Sequence, residues 1–582
     1  MGYWEEHVIV FVINRCNGSA GKATSESNLT GGFLRRHTTG GINSTTCGQP
    51  EKEQNISHDL ISSENTSTTT VATEELQPEA SKASSVAITT TARHDQWGIG
   101  PFRFRFRLEM FRPGRDFAER RFGIVEAAVL LMMGYLGSRG LGVIRQTLFN
   151  AIFGAGPEAN AYYAAFRLPD TLFTLIAGGA LIQAFVPVFV SFEKDHGREE
   201  TWRLTSLVFN VLLVSLTGLV LIAEFAAPAF VSHWLVPGYS PAVQSLTTSL
   251  TRIMLFQPLI LGLGTIATAV LSSKRQFLLP ALSIAVYNFG LIGGLLVTLA
   301  FPKVGIYGPT YGVLAAAACQ VLVQLPGLVK QRFKYSFIWN LKHPGLRQVM
   351  YLLVPNILAV GISSITLIVD TAFTSYLPDK ESLSAIHNAY MLFDLPIALL
   401  GQTLALAALP GMSSLAASYR YLDFRQLVFK IVGGAVLISI PAAVLLAVLG
   451  KPMIHILFQH GAFTKHASAL TALVLVGYAI GLPGHVASGI FMRSFYALKN
   501  AVIPLFTNIF AFAIHISLLL FLIRTLTGNN VILAIPLAAT STATVEAGLL
   551  CLLLLWRLRV SIKEEQANLQ TPASPALESS DQ

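Results

Sequence analysis

From residue 122 onward the chain is dominated by twelve apolar runs, each long enough to cross a bilayer. They fall at about 122–150, 160–190, 204–230, 247–271, 279–300, 309–329, 348–376, 385–413, 428–450, 468–491, 501–524 and 531–557. In hydrocarbon a backbone must satisfy its own polar groups, so runs of this length and number fold as helices. The chain is 52% hydrophobic and 13% charged, against roughly 25% charged in soluble domains. The expected fold is an all-α polytopic membrane protein. Pro169, Pro187, Pro258, Pro355, Pro396, Pro410, Pro441 and Pro483 interrupt the runs. Such breaks are tolerated where a helix borders a protein-lined cavity.

Loop charge alternates along the chain. With the N-terminus placed in the cytoplasm, the inside loops carry 15 Lys and Arg residues and the outside loops 5. Positive charge favours the cytoplasmic side, so the asymmetry predicts a multi-pass plasma-membrane protein with both termini cytoplasmic. Lys330, Arg332, Lys334, Lys342 and Arg347 crowd one inside segment, 330–347. This linker divides the runs into an N-lobe at 122–329 and a C-lobe at 348–557, six helices each, around a central cavity. The net charge of +9 reports topology under this reading, and no nucleic-acid partner is inferred.

Residues 1–100 are a Ser/Thr-rich extension with too little apolar surface to offset its ordering entropy, and are expected to be disordered. A misassigned start is the alternative, with Met110 an internal start. Residues 101–121 interleave Arg with Phe, which suits a cytoplasmic flank binding anionic headgroups of membrane lipids. Residues 558–582 read as a polar cytoplasmic tail. Cys16, Cys47, Cys319 and Cys551 show no metal-ligand spacing, GAGPEAN (154–160) lacks the ending of a phosphate loop, and no catalytic constellation is found. No cofactor, no metal and no enzymatic activity are expected.

Three cations break the first two runs: Arg139, Arg145 and Arg167. An ionised side chain at membrane depth costs at least roughly 2.5–3.5 kcal/mol, so it faces a cavity or a partner. The three together predict a basic, water-accessible cavity. Capping or snorkelling is the plainer alternative. Asp170 follows Arg167 by one helical turn and can pair with it.

The stretch carrying these arginines resembles the MurJ/MviN family of the multidrug, oligosaccharidyl-lipid and polysaccharide exporter superfamily. The matching pieces are SRGLGVIRQTLFNAIFGAG (138–156), NAYYAAFRLPDTLF (160–173), GALIQAFVPVF (179–189), LTRIMLFQP (250–258), ILFQHGAFT (456–464) and YALKNAVIP (496–504). The similarity runs in order over about 122–557. It implies a flippase moving the lipid-linked peptidoglycan precursor lipid II to the outer leaflet by alternating access, in cell-wall biogenesis. It places Arg139, Arg145 and Arg167 at the substrate, where guanidinium forks suit a pyrophosphate. Phe173, Gly178, Asn160 and Met391 stand where the family usually carries charge.

Asp370 lies deep in the seventh run and is a candidate coupling site for Na+ or H+, with Asn508 as assistant. A carboxylate bonded to Thr366, Thr371 or Thr374 is the structural alternative. His485 and His515 read as satisfied core histidines, and Asp394 and Glu546 as structural acids. Two other functions remain open on sequence grounds. One is a cation-coupled exporter of small molecules or of another lipid-linked glycan, and the other is a non-transporting membrane scaffold.

Overall fold

The computed structural model describes residues 124–570, apart from Gly178 and Arg275. The expectations for residues 1–100 and 101–121 lie outside the described residues, as do Gly178 and 571–582. All described secondary structure is helical. The first half comprises α1 (Ile124–Phe153), α2 (Pro157–Ala165), α3 (Arg167–Ile176), α4 (Gly179–Phe230), α5 (Pro241–Met254), α6 (Gln257–Ser273), α7 (Leu278–Ala300) and α8 (Tyr307–Lys330). The second comprises α9 (Pro344–Ser375), α10 (Ser382–Pro396), α11 (Leu404–Ala417), α12 (Tyr421–Phe458), α13 (Lys465–Ala479), α14 (Leu482–Ala497), α15 (Val502–Thr525) and α16 (Ala534–Gln570). A π-helical stretch, Ile397–Thr403, joins α10 to α11.

Among the described residues eight segments are long and apolar enough to cross a membrane, or nine if the bent pair α13–α14 counts as one. This is fewer than the twelve runs seen in the sequence, although the described part of each run is largely helical. One run is lost because α2, α3 and α4 join end to end in one segment, Pro157–Leu235, that covers two of the runs, and the runs on α1 and α9 are not among the counted segments. Gly197, at φ 81°, breaks α4 between them. Only glycine adopts that conformation freely. The C-terminal helix also reaches Gln570, into the segment read as a tail, because Lys563, Glu564, Glu565, Gln566 and Ala567 are good helix formers.

Many large apolar side chains point outward, including Phe225 (85% exposed), Tyr351 (79%) and Phe337 (78%). On a helical bundle of this composition such a surface faces lipid. Inside, helices approach through small residues: a Cβ on Gly294 of α7 would lie 2.7 Å from the Cα of Gly312 on α8.

Packing separates two bundles. One core cluster unites α10–α16 around Phe393, Phe424, Phe458 and Phe495. Another unites α4 and α6 around Phe185, Phe189 and Trp202, and it also takes in Leu346, Val349 and Leu353 of α9. The start of α9 therefore packs on the first bundle. Its far end reaches the second, where Asp370 meets His515 of α15. Helix α9 spans the divide that the linker 330–347 marks in the sequence.

Candidate functional site

Two adjoining cavities lie where α1 faces α10. The first, of about 240 Å³, is lined by residues that include Arg145, Gln146, Tyr163, Arg167, Asp170 and His387. The second, of about 330 Å³, is lined by Ser138, Arg139, Arg145, Asn288, Tyr390 and Asp394 among others. Arg145 and His387 line both. The local reason is periodicity. Ser138, Gly142, Arg145, Gln146 and Phe149 recur every three or four residues, so one stripe of α1 faces the cavities.

The three arginines differ in their engagement. Arg139 forms an ion pair with Asp394 of α10 across the divide. Arg167 donates from Nε to the Thr371 hydroxyl of α9 at 3.0 Å. It shares α3 with Asp170, which is exposed, but the two form no ion pair. Pairing within the turn is thus not what holds Arg167, because Thr371 occupies its Nε. Arg145 has neither an ion pair nor a hydrogen bond to any described residue. It is a half-buried guanidinium with all its donors available to whatever enters the cavities.

One end of the cavities is shut by polar and backbone contacts between the bundles. Gln146 Nε2 donates to Asn388 Oδ1 (2.9 Å), and Asn150 Nδ2 donates to the same oxygen (3.0 Å). The Tyr163 ring stacks on His387 at 4.1 Å. Beyond them, Asn160 accepts from the Ser384 amide (2.9 Å) and hydroxyl (2.6 Å), and donates to the Lys380 carbonyl. Outermost, the Ala462 amide donates to the Ala151 carbonyl at 2.9 Å. Gly154 (φ +65°) and Gly461 (φ +57°) flank this bond, and a Cβ on either would strike the opposing backbone. Asn160, one of the positions where the sequence departs from the family pattern, is thus buried at the junction. Met391 lines the second cavity, and Phe173 packs on the α4–α6 cluster.

Asp370 does not bond the threonine hydroxyls around it. Thr366, Thr371 and Thr374 donate to backbone carbonyls within α9. Its carboxylate instead contacts His515 Nε2 at 2.7 Å, with the imidazole side chain 3% exposed. Asn508 lies on α15 two turns before His515, and among the described residues it makes no hydrogen bond to Asp370. Seven residues on a helix bring back nearly the same face but displace it by about 10 Å along the axis. Glu546 accepts from the Ser488 hydroxyl at 2.9 Å.

Sequence reasoning missed Gln146, Asn150, His387 and Asn388. Gln146 and Asn150 sit one turn apart in an otherwise apolar run, and that spacing was the available signal.

The arrangement is that of a transporter: two bundles, a basic cavity between them, and a sealed end. A family model described as "Lipid II flippase MurJ" matches residues 149–570. A lipid II flippase MurJ of Burkholderia cenocepacia is 31% identical over 388 residues, covering 65% of this chain and 74% of the relative. A probable lipid II flippase MurJ of Rhizobium meliloti is 27% identical over 427 residues, covering 72% and 79%. A solved structure of a lipid II flippase MurJ in an inward closed conformation superposes with a TM-score of 0.63 at 25% identity, covering 72% of this chain and 86% of that one. An inward-facing multidrug transporter of the MATE family also superposes at 0.63, with 13% identity, over 75% and 99% of the two chains, and shares the fold. By the family model and by these relatives together, this chain belongs to the MurJ family of lipid II flippases.

Proposed function

We propose that this protein carries lipid II from the cytoplasmic to the outer leaflet of a bacterial plasma membrane, with Arg145 as the main ligand of the pyrophosphate. No covalent bond is made or broken. The observation that carries the reading is the state of Arg145: it lines both cavities and has no partner among the described residues. A half-buried guanidinium with free donors is matched by a multiply charged oxyanion. The loop charges put the sealed end, with Ala151 and Ala462, on the outside, and the cavities then serve the cytoplasmic side. On entry the pyrophosphate competes with Asp394 for Arg139, which loosens one contact between the bundles. Reopening on the other side requires the Asn160–Ser384 and Ala151–Ala462 bonds to part. Anionic lipid headgroups bind the basic stretch 101–121 on the cytoplasmic surface.

The test is rescue. The full chain is expressed in a bacterium depleted of its own lipid II flippase, and survival and outer-leaflet lipid II are scored. Rescue is expected. A chain present in the membrane that restores neither excludes lipid II as its cargo.

Ion coupling belongs to the pair Asp370–His515, at the end of α9 that enters the second bundle. The next residue, Thr371, holds Arg167, so a change of charge on the pair is felt one residue from a cavity-lining cation. A proton suits this pair better than Na+, because the imidazole already takes Oδ1, one of the two carboxylate oxygens, and can share a proton with it. Flipping in proteoliposomes is expected to respond to an imposed pH gradient, and Asp370→Asn to remove that response. A rate that follows a Na+ gradient and ignores the pH gradient excludes the proton.

A further inference from the structure

A second group of ionisable side chains lies away from the cavities, at the sealed end. Asp379 and Glu381 sit in the α9–α10 loop, and His466 lies in the first turn of α13, 87 residues beyond Asp379. One ligand atom from each falls within 4.8 Å of the other two. His466 Nε2 is 2.5 Å from Asp379 Oδ2. Neighbouring groups hold the two carboxylates in place. The Glu381 amide donates to Asp379 Oδ1 at 2.9 Å, and the Thr464 hydroxyl donates to the Glu381 carboxylate at 3.3 Å. Thr464 is itself fixed as the cap of α13, accepting from the Ala467 amide at 2.9 Å. Both sides of the group are thus set by backbone, while its imidazole stays accessible, with the side chain 53% exposed.

The donor set selects a class of ligand. Two carboxylates and one imidazole converging on a point offer three of the four positions of a tetrahedral Zn2+ site, leaving one for water. Ca2+ and Mg2+ take all-oxygen shells, so the imidazole argues against them. The carboxylates also hold the orientation that metal-bound side chains need, through the amide of Glu381 and the hydroxyl of Thr464.

The position gives such a site a consequence. Between Asp379 and Glu381 lies Lys380, whose carbonyl accepts from Asn160 of the first bundle. Three residues after Glu381, Ser384 donates to the same asparagine. Three residues before Thr464, Gly461 abuts Ala151. The three ligands therefore tie together the two second-bundle segments that close the outer end.

We propose that Asp379, Glu381 and His466 form a Zn2+ site at the outer mouth, and that occupancy holds the outer gate shut. Binding stands on the geometry alone, whereas the effect on the gate rests on the transport reading above. Binding is measured first, on the purified full chain in nanodiscs, by competition for Zn2+ with a chromogenic chelator. One Zn2+ per chain is expected, with affinity at least about 10-fold weaker in His466→Ala and in Asp379→Asn. Calcium is expected not to compete. Equal binding by wild type and both variants, or none, overturns the site. Glu381→Gln gives a third variant should either of the others misfold. Flipping in proteoliposomes is then followed with Zn2+ on the outer side. Wild type is expected to slow several-fold and His466→Ala to be indifferent. Saturated binding that leaves the wild-type rate unchanged overturns the gate role and leaves the transport reading untouched.

Discussion

Arg145→Ala is expected to abolish rescue of a flippase-depleted bacterium and to lower lipid II flipping by at least about 100-fold. Two charge-assisted hydrogen bonds from one guanidinium are worth roughly 3–6 kcal/mol, and each 1.4 kcal/mol is about tenfold. The loss is large because, among the described residues that line the cavities, no other guanidinium is free to substitute. Arg139 is held by Asp394 and Arg167 by Thr371, so each must first be released. Arg145→Lys keeps the charge but loses the fork, and is expected to retain a minor part of the rate. Arg139→Ala is expected to cost less than Arg145→Ala, and to leave Asp394 unpaired inside the second cavity. The measurement is outer-leaflet lipid II, normalised to the amount of each variant in the membrane. Wild-type flipping by Arg145→Ala would remove the pyrophosphate from this cavity.

Gly461→Val is expected to block transport just as fully, for a different reason. Gly461 sits at φ +57°, a conformation that costs an L-residue about 1–2 kcal/mol and a β-branched one more. Its Cβ would also overlap the Ala151 carbonyl, which already accepts from the Ala462 amide. The sealed state is then lost, while α12 and α13 on either side of the loop keep their own cores. The variant should reach the membrane at normal levels yet fail to flip. Accessibility separates this outcome from misfolding. A cysteine at Ser384, buried beneath the seal, is expected to react with an impermeant outside thiol reagent in Gly461→Val and to be protected with Gly461 intact. Protection in both backgrounds would mean that the loop does not form the seal.

Helix content, the membrane and the cavity-lining arginines were legible in the sequence because each rests on a one-dimensional signal. A run of about twenty apolar residues has few folds open to it. A cation inside such a run must find a cavity or a partner, and Arg139, Arg145 and Arg167 all line one. The family likeness was equally linear, carried by motifs in order along the chain. What a charged residue is paired with was not legible. Nothing along the chain distinguishes Arg145 from Arg139, and only the approach of α10 to α1 gives Asp394 to one and leaves the other free. Asp370 was singled out as a candidate coupling site, but that its carboxylate meets His515 was not legible, because the register between α9 and α15 is set by packing. The sealed end shows the same limit. Asn160 and Ser384, like Asp379 and His466, are far apart in the chain and meet only through tertiary packing. Local pattern along the chain was enough to make it a helical membrane protein with arginines in its interior. The tertiary structure alone decided which of its charges are free, which are paired and which end is closed, since pairing across a bundle depends on distances that no local pattern encodes.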